Sequence, residues 1–295
     1  MNIVAVDVGA TEIKGALFNP TLSKQFKTKT DASGGKSTIL ASLYKVIDAL
    51  MVDDCDVISI VSAGTIDTRK HRIIYNAGTM PGWVDFNLGD VVFEKYQVKV
   101  FVENDANGAM IAEMQPYLKA GIKHAVMVTL GTGVGTALYI DGKMHHGANY
   151  LIELGHMVLY PKGRLCSCGE YGCIEQYVSG TALTRRAKEA IDPHIDHGKA
   201  LFKLLAQGHK KAQEVFDHYI DDLAQSLHNI GRAIDPELFI LGGGVMDNAS
   251  VILPALKKKL GNKANHYRIV KAQYDNFAGI QGAFVYAKER MANDA

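Results

Sequence analysis

Val4-Ala5-Val6-Asp7-Val8-Gly9-Ala10-Thr11, followed by Lys14-Gly15-Ala16-Leu17-Phe18-Asn19-Pro20, has a counterpart further along the chain. It is Val126-Met127-Val128-Thr129-Leu130-Gly131-Thr132-Gly133, followed by Gly135-Thr136-Ala137-Leu138-Tyr139-Ile140-Asp141-Gly142. Each copy reads as a strand, a glycine-containing turn, a second strand and a polar turn. A duplicated β-hairpin opening two halves of one chain implies two similar domains facing one cleft. Chance recurrence of glycine-rich hairpins is the alternative reading.

Outward from these hairpins, short β-branched runs bounded by Gly or charge read as strands buried on both faces: Ile3–Val8, Val57–Val61, Val98–Val102, Ala125–Leu130 and Leu238–Leu241. Apolar residues at three- and four-residue spacing predict helices over Thr38–Leu50, Ala106–Lys119, Lys211–Ile234 and Ala278–Met291. Strands alternating with helices specify an α/β fold. The expected domains are residues 1–118 and 119–295, with the final helix crossing back to the first.

The 295 residues suffice for two cores, and 47% of them are apolar, as in ordinary globular chains. The formal net charge is +1, with acids and bases balanced. Such a surface gives no electrostatic reason to expect nucleic acid or an anionic membrane as partner. The chain opens on strand residues Ile3–Val6 without a basic leader. No apolar run approaches the roughly 20 residues of a membrane span. A cytoplasmic location is expected, where cysteines are metal ligands or reduced core residues rather than disulfides. Cys55 reads as a buried core thiol.

Three glycine loops could offer backbone N–H groups to phosphate: Asp7–Thr11, Thr129–Gly135 and Gly242-Gly243-Gly244. None is a P-loop, and none is a dinucleotide fingerprint, since Thr136 stands where the last glycine is needed. Taken singly, each is equally a tight turn.

His156-x9-Cys166-x-Cys168-x4-Cys173 is the most specific pattern in the chain. Cys₃His is a closed, tetrahedral zinc set, and Gly169 and Gly172 allow the tight turn it needs. A disulfide is the weaker alternative. Glu103-Asn104-Asp105 follows a predicted strand and opens a predicted helix. As an N-cap, Asn or Asp is ordinary there; as the carboxyl end of a buried strand, the place is also where α/β proteins bind ligands.

Asp7-x-Gly9-x-Thr11, Thr129-Leu130-Gly131-Thr132-Gly133-x-Gly135 and the complete C-x-C-G-x-x-G-C string at Cys166–Cys173 together resemble the ROK family of sugar kinases and sugar-responsive repressors, over essentially the whole chain. The resemblance implies a two-domain actin-like ATPase fold of the hexokinase type. It also implies ATP with Mg²⁺, a structural zinc and a homodimer. It assigns Asp7, Gly9, Thr11, Lys14, Thr132 and Gly133 to the phosphates and Mg²⁺, and Gly243 and Gly244 to the nucleoside end. Ala10 departs from the family, many members carrying a second glycine there, and a tighter loop is expected.

By the same resemblance, Asp105 is the general base and Asn104 holds a neighbouring sugar hydroxyl. Gly64, Glu153, His156 and Glu175 complete the sugar contacts, and His156, Cys166, Cys168 and Cys173 hold zinc. The loop from Asn76 to Trp83 would line the sugar, with Trp83 either stacking near the ligand or taking an exposed or half-buried packing role. His145 and His146 carry no assignment and are expected to face solvent.

A family repressor would place a DNA-binding domain ahead of Ile3, so a kinase is the expectation. A non-catalytic sugar-binding regulator is the alternative. Intact Asp105 and both hairpins disfavour it. The expected reaction is ATP-dependent phosphorylation of a hexose or hexose derivative at the 6-hydroxyl. Glucose or a β-glucoside is preferred, and N-acetylmannosamine is next.

Overall fold

A computed structural model describes residues 1–76, 80–150 and 152–293. The chain divides into two compact units: Met1–Pro116 with His146–Leu151 and Gln273–Ala295, and Tyr117–His145 with Ile152–Ala272.

The first unit begins β1 (Ile3–Val8), β2 (Glu12–Phe18), β3 (Leu22–Lys29), α1 (Lys36–Leu50) and β4 (Val57–Ser62). A small sheet of β5 (Thr65–Asp67), β6 (Arg72–Tyr75) and β7 (Phe86–Asn87) follows, then α2 (Leu88–Tyr96), β8 (Lys99–Asn104) and α3 (Asp105–Lys119). The main sheet runs β3-β2-β1-β4-β8, with β1, β4 and β8 parallel.

The second unit contains β9 (Ala125–Leu130), β10 (Val134–Ile140), β11 (Lys143–Met144), α4 (Glu175–Val178), α5 (Gly180–Ala190), α6 (Lys199–Ala206), α7 (Lys210–Ile234), β12 (Leu238–Gly242), α8 (Ala249–Leu260) and β13 (Arg268–Lys271). Its sheet runs β11-β10-β9-β12-β13. Both sheets therefore order their own strands third, second, first, fourth, fifth. Each opening hairpin pairs antiparallel over the same span, Ile3–Val8 with Ile13–Phe18 and Ala125–Leu130 with Val134–Tyr139. The sequence repeat is a repeat of structure. The chain closes with α9 (Ala278–Asn293), which packs on β1 and β4.

Strand β1 shows why its residues are apolar on both sides. Val4, Val6 and Val8 share a core with Ile39, Leu43 and Ile47 of α1. The alternate residues Ile3 and Ala5 are equally buried. Covering each Val or Ile stabilises by about 1.5–3 kcal/mol, so a polar residue is tolerated only towards the strand end, where Asp7 stands. The expected strands and the four expected helices form within two residues of their predicted ends. Helices α2, α4, α5, α6 and α8 form as well, without having been expected. No helix among the described residues is long and apolar enough to cross a membrane.

Candidate active site and metal centre

In the first unit, the register places Asp7, Val61 and Glu103 in one row across β1, β4 and β8, and Val8, Ser62 and Asn104 in the next. The carboxyl ends of three parallel strands thus share one edge, where backbone polar groups and the next loops are free to meet a ligand. Strand β8 passes into α3 with no intervening loop, so Asn104 is the last strand residue and Asp105 the first helical one.

Asn104 is held on all sides. Its Oδ1 accepts Asn107 N–H (3.1 Å), and its Nδ2 donates to Gly64 O (2.8 Å) and to Asp105 Oδ1 (3.1 Å). Asp105 Oδ1 also accepts Ala106 N–H (2.9 Å). Asn104 therefore caps α3, and the capping geometry fixes the Asp105 carboxyl. Burial, followed by the charge of Asp7, pushes Asp105 up to about 6.

Asp7 faces Lys14 across the β1–β2 ladder, with Nζ 3.2 Å from Oδ2, and Lys14 Nζ also donates to Asn276 O (2.5 Å). Burial still leaves the Asp7 carboxyl above its usual value despite this lysine. A Cβ at Gly279 of α9 would lie 2.5 Å from Asp7 Oδ2, so only glycine lets the helix approach so closely. The turn after β1 closes by Gly9 N–H to Glu12 O (3.1 Å), and Thr30 donates to Gly9 O (2.6 Å), leaving Thr11 exposed. Ala10 is not among the residues with positive φ, so it enters this turn without backbone strain. Gly64, at φ 107, is a position a side chain could not take, because a Cβ would meet Tyr75 O at 2.6 Å.

In the second unit the hairpin Gly131–Gly133 closes on itself, Gly131 N–H to Gly133 O at 3.0 Å. Gly180, at the start of α5, donates to Gly131 O (2.7 Å), and Ser179 caps that helix through Ala182 N–H. Gly243, at φ 83, lies so close to Leu130 that a Cβ would sit 2.6 Å from its carbonyl carbon, whereas Gly244 faces open space. Thr132 is exposed beside them. The structure therefore brings the Thr132, Gly133, Gly243 and Gly244 set onto one end of β9 and β12.

Glu175 ties this hairpin to the cysteine loop. Its Oε2 accepts Val134 N–H at 2.9 Å, and Cys166 Sγ donates to its Oε1 (3.8 Å). A Cβ on Gly133 would clash with Oε2. Glu153 is exposed and opens the single turn Leu154–His156, its carbonyl accepting His156 N–H at 2.9 Å.

The ligand atoms of His156, Cys166, Cys168 and Cys173 all lie within 4.8 Å of one another. Cys166 Sγ is 3.5 Å from His156 Nδ1, and Cys168 Sγ is 3.6 Å from Cys173 Sγ. Tetrahedral zinc with bonds of about 2.3 Å requires sulfur atoms roughly 3.8 Å apart, so the donor set and its spacing fit that ion. A disulfide would need a separation near 2.05 Å, and all four cysteines are free. Gly169 and Gly172 have φ of 94 and 84, and a Cβ on Gly172 would fall within the Tyr160 carbonyl. Tyr160 in turn donates to Asp222 of α7 (2.5 Å), anchoring the loop to the core. Burial works against ionisation of Cys166, but hydrogen bonds from Cys168, Gln176 and Cys173 outweigh it and lower the thiol to about 7. Burial and the neighbouring thiols raise Cys173.

Three expectations fail. Trp83 has no face for a ligand: it is fully buried, packs edge-on to Phe86 and donates to Ser62 Oγ (2.9 Å). Cys55 is half-buried rather than core. His146 is half-buried rather than solvent-facing, and it meets the buried Glu103 carboxylate at 2.7 Å. Sequence alone carries no sign of that pair, whose members lie 43 positions apart. The expected sugar-lining loop from Asn76 to Trp83 includes residues 77–79, which lie outside the described residues.

A sequence model of the ROK family matches residues 3–290. The chain is 28% identical to a glucokinase of Thermotoga maritima, over 99% of this chain and 98% of that one. It is 27% identical to an N-acetylmannosamine kinase of Salmonella typhi, over 98% and 99% respectively. Among solved structures, a ROK family glucokinase from Streptomyces griseus, in complex with glucose and AMPPNP, aligns with a TM-score of 0.81 and 28% identity, covering 98% of this chain and 100% of that one. The fold is the two-domain actin-like ATPase fold of these kinases.

Proposed function

The chain belongs to the ROK family, and we propose that it transfers the γ-phosphoryl group of ATP to the 6-hydroxyl of a hexose or hexose derivative. The observation that carries this reading is the Asn104–Asp105 pair at the carboxyl edge of β1, β4 and β8. There a carboxyl raised to about 6 is fixed by Asn104 and by Ala106 N–H.

In the proposed reaction the sugar hydroxyl oxygen attacks the γ-phosphorus and the bond to the β-phosphate oxygen breaks, releasing ADP. Asp105 takes the hydroxyl proton. Phosphoryl transfer has a loose transition state, so the base mainly orients its nucleophile, and a carboxylate ionised above pH 6 is adequate. Asn104 and the Gly64 carbonyl position neighbouring hydroxyls, and Glu153, His156 and Glu175 are assigned to the rest of the sugar. A buried acceptor left without its hydroxyl is costly, which gives discrimination by hydroxyl pattern.

Asp7, Gly9, Thr11, Lys14, Thr132 and Gly133 are assigned to the ATP phosphates and Gly243 and Gly244 to the nucleoside end. Asp7 would hold the Mg²⁺ that enters with ATP and offsets charge on the transferred group. Zinc, held by His156, Cys166, Cys168 and Cys173, would supply no open position and so acts structurally. Glucose or a β-glucoside is the preferred substrate and N-acetylmannosamine the next. We place the enzyme in the cytoplasm as a homodimer.

The test is ADP release with Mg-ATP across hexoses, amino sugars and β-glucosides, for wild type and Asp105→Asn. Turnover of one sugar, lowered about a hundredfold or more by the substitution, supports the kinase. Sugar binding without ADP release from zinc-loaded protein would replace it with a non-catalytic sugar-binding regulator.

A further inference from the structure

We propose that Glu103 and His146 form a positioning pair that orients the Asp105 carboxyl through Asn104 and Asn107. The consequence for turnover rests on the reading of Asp105 as the base; the geometry does not.

Glu103 is fully buried, and a buried carboxylate is costly unless every lone pair is answered. Its Oε1 accepts Asn104 N–H (2.8 Å) and Asn107 Nδ2 (2.9 Å), while Oε2 accepts His146 Nε2 (2.7 Å). Neither oxygen is bonded to Asp105. They hold the residue before it and the residue two after it, and Asn104 then donates to Asp105 Oδ1. A helix cap alone does not call for this, because Asn104 Oδ1 already caps α3 through Asn107 N–H. The buried charge instead fixes the backbone and amide of Asn104, and so the direction from which Asp105 is approached.

His146 is what answers the second oxygen. Its ring stands edge-on to Tyr150, 5.8 Å between centroids, and Tyr150 occupies φ 59 while its hydroxyl accepts Arg69 Nε–H at 2.7 Å. A large residue in the left-handed region persists only where its surroundings hold it. Tyr286 and Arg290 of α9 also face the pair. Burial and Arg290 disfavour a cationic imidazole, yet the hydrogen bond and charge of Glu103 prevail and raise His146, consistent with an ionised pair. His146 keeps 23% of its side chain exposed, so truncating it opens the site to water rather than leaving a sealed void.

The experiment compares His146→Ala, His146→Gln and wild type by two readouts. The first is the Asp105 carboxyl titration by ¹³C NMR, assigned with Asp105→Asn. The second is steady-state kinetics. Losing the Asn104 donor raises the Asp105 midpoint, by about half a unit or more in His146→Ala. It lowers kcat about tenfold while the sugar KM moves less than about threefold. His146→Gln, whose amide still donates to Glu103, restores both. His146→Asn, too short to reach, replaces the alanine variant if that does not fold. An unmoved Asp105 midpoint in a folded truncation variant, or a glutamine variant no better than alanine, overturns the proposal. Wild type that releases no ADP defeats the kinase reading, and the titration still decides this one.

Discussion

The Asp7 carboxylate, next to burial, is the largest influence raising the carboxyl of Asp105 across the carboxyl edge of β1, β4 and β8. Lys14, 3.2 Å from Asp7, offsets part of that field. The pair therefore links the residue assigned to Mg²⁺ with the one assigned to the hydroxyl proton.

The pH–rate profile follows from this. With Asp105 as base, kcat/KM rises with pH through a midpoint near 6. Binding of Mg²⁺ at Asp7 cancels its charge and moves the corresponding limb of kcat to lower pH. Profiles of both quantities over pH 5–8 check this, and a limb that remains near 6 in kcat removes Asp7 from the metal.

Stability carries the same shift with a definite sign. A carboxyl raised in the fold favours the fold fully below its unfolded value near 3.9 and loses that contribution as pH rises through about 6. Asp105→Asn, neutral throughout and still able to accept from Ala106 N–H, is expected to melt above wild type at pH 8. At pH 4 the gain disappears. Calorimetry at both values decides.

Removing zinc should loosen the second unit. Cys173→Ser or chelation is expected to abolish one equivalent of bound zinc by mass spectrometry and to lower Tm by several degrees, since closed zinc sites contribute folding energy directly. Unchanged Tm together with unchanged metal content would reject the zinc assignment.

Glu175 is expected to be sensitive to removal rather than neutralisation. Glu175→Ala leaves Val134 N–H without its acceptor, a loss of about 1–3 kcal/mol, and frees the Gly131–Gly133 hairpin. Glu175→Gln keeps a carbonyl oxygen there and should retain most stability. Urea denaturation of the two variants, with ATP affinity alongside, separates them.

Gly279→Ala should reverse the usual helix rule. Where the backbone is compatible with a side chain, this change normally stabilises by about 0.4–1 kcal/mol. Here the new methyl would meet Asp7 Oδ2 at 2.5 Å, so lower Tm and weaker Mg²⁺ dependence are expected. A stabilised, fully active variant would show that Asp7 has room to move.

Much of this protein was determined by its sequence because the relevant physics is local. Short apolar runs buried on both faces made β1 and β9 legible, the glycine turns marked both hairpins, and the spacing from His156 to Cys173 named a four-ligand set. Asn104 was legible both as a cap and as the residue beside a candidate base, since capping is decided within a few residues of chain. The tertiary structure alone decided three matters. Trp83 became core because Ser62 and Phe86 close over it. Glu175 became an acceptor for the hairpin because α4 begins beside Val134. Glu103 became a held, buried charge because His146 arrives from 43 positions away. Burial and ion pairing depend on which surfaces meet in space, and pairwise contacts between distant segments leave no period, cap or motif in a single chain.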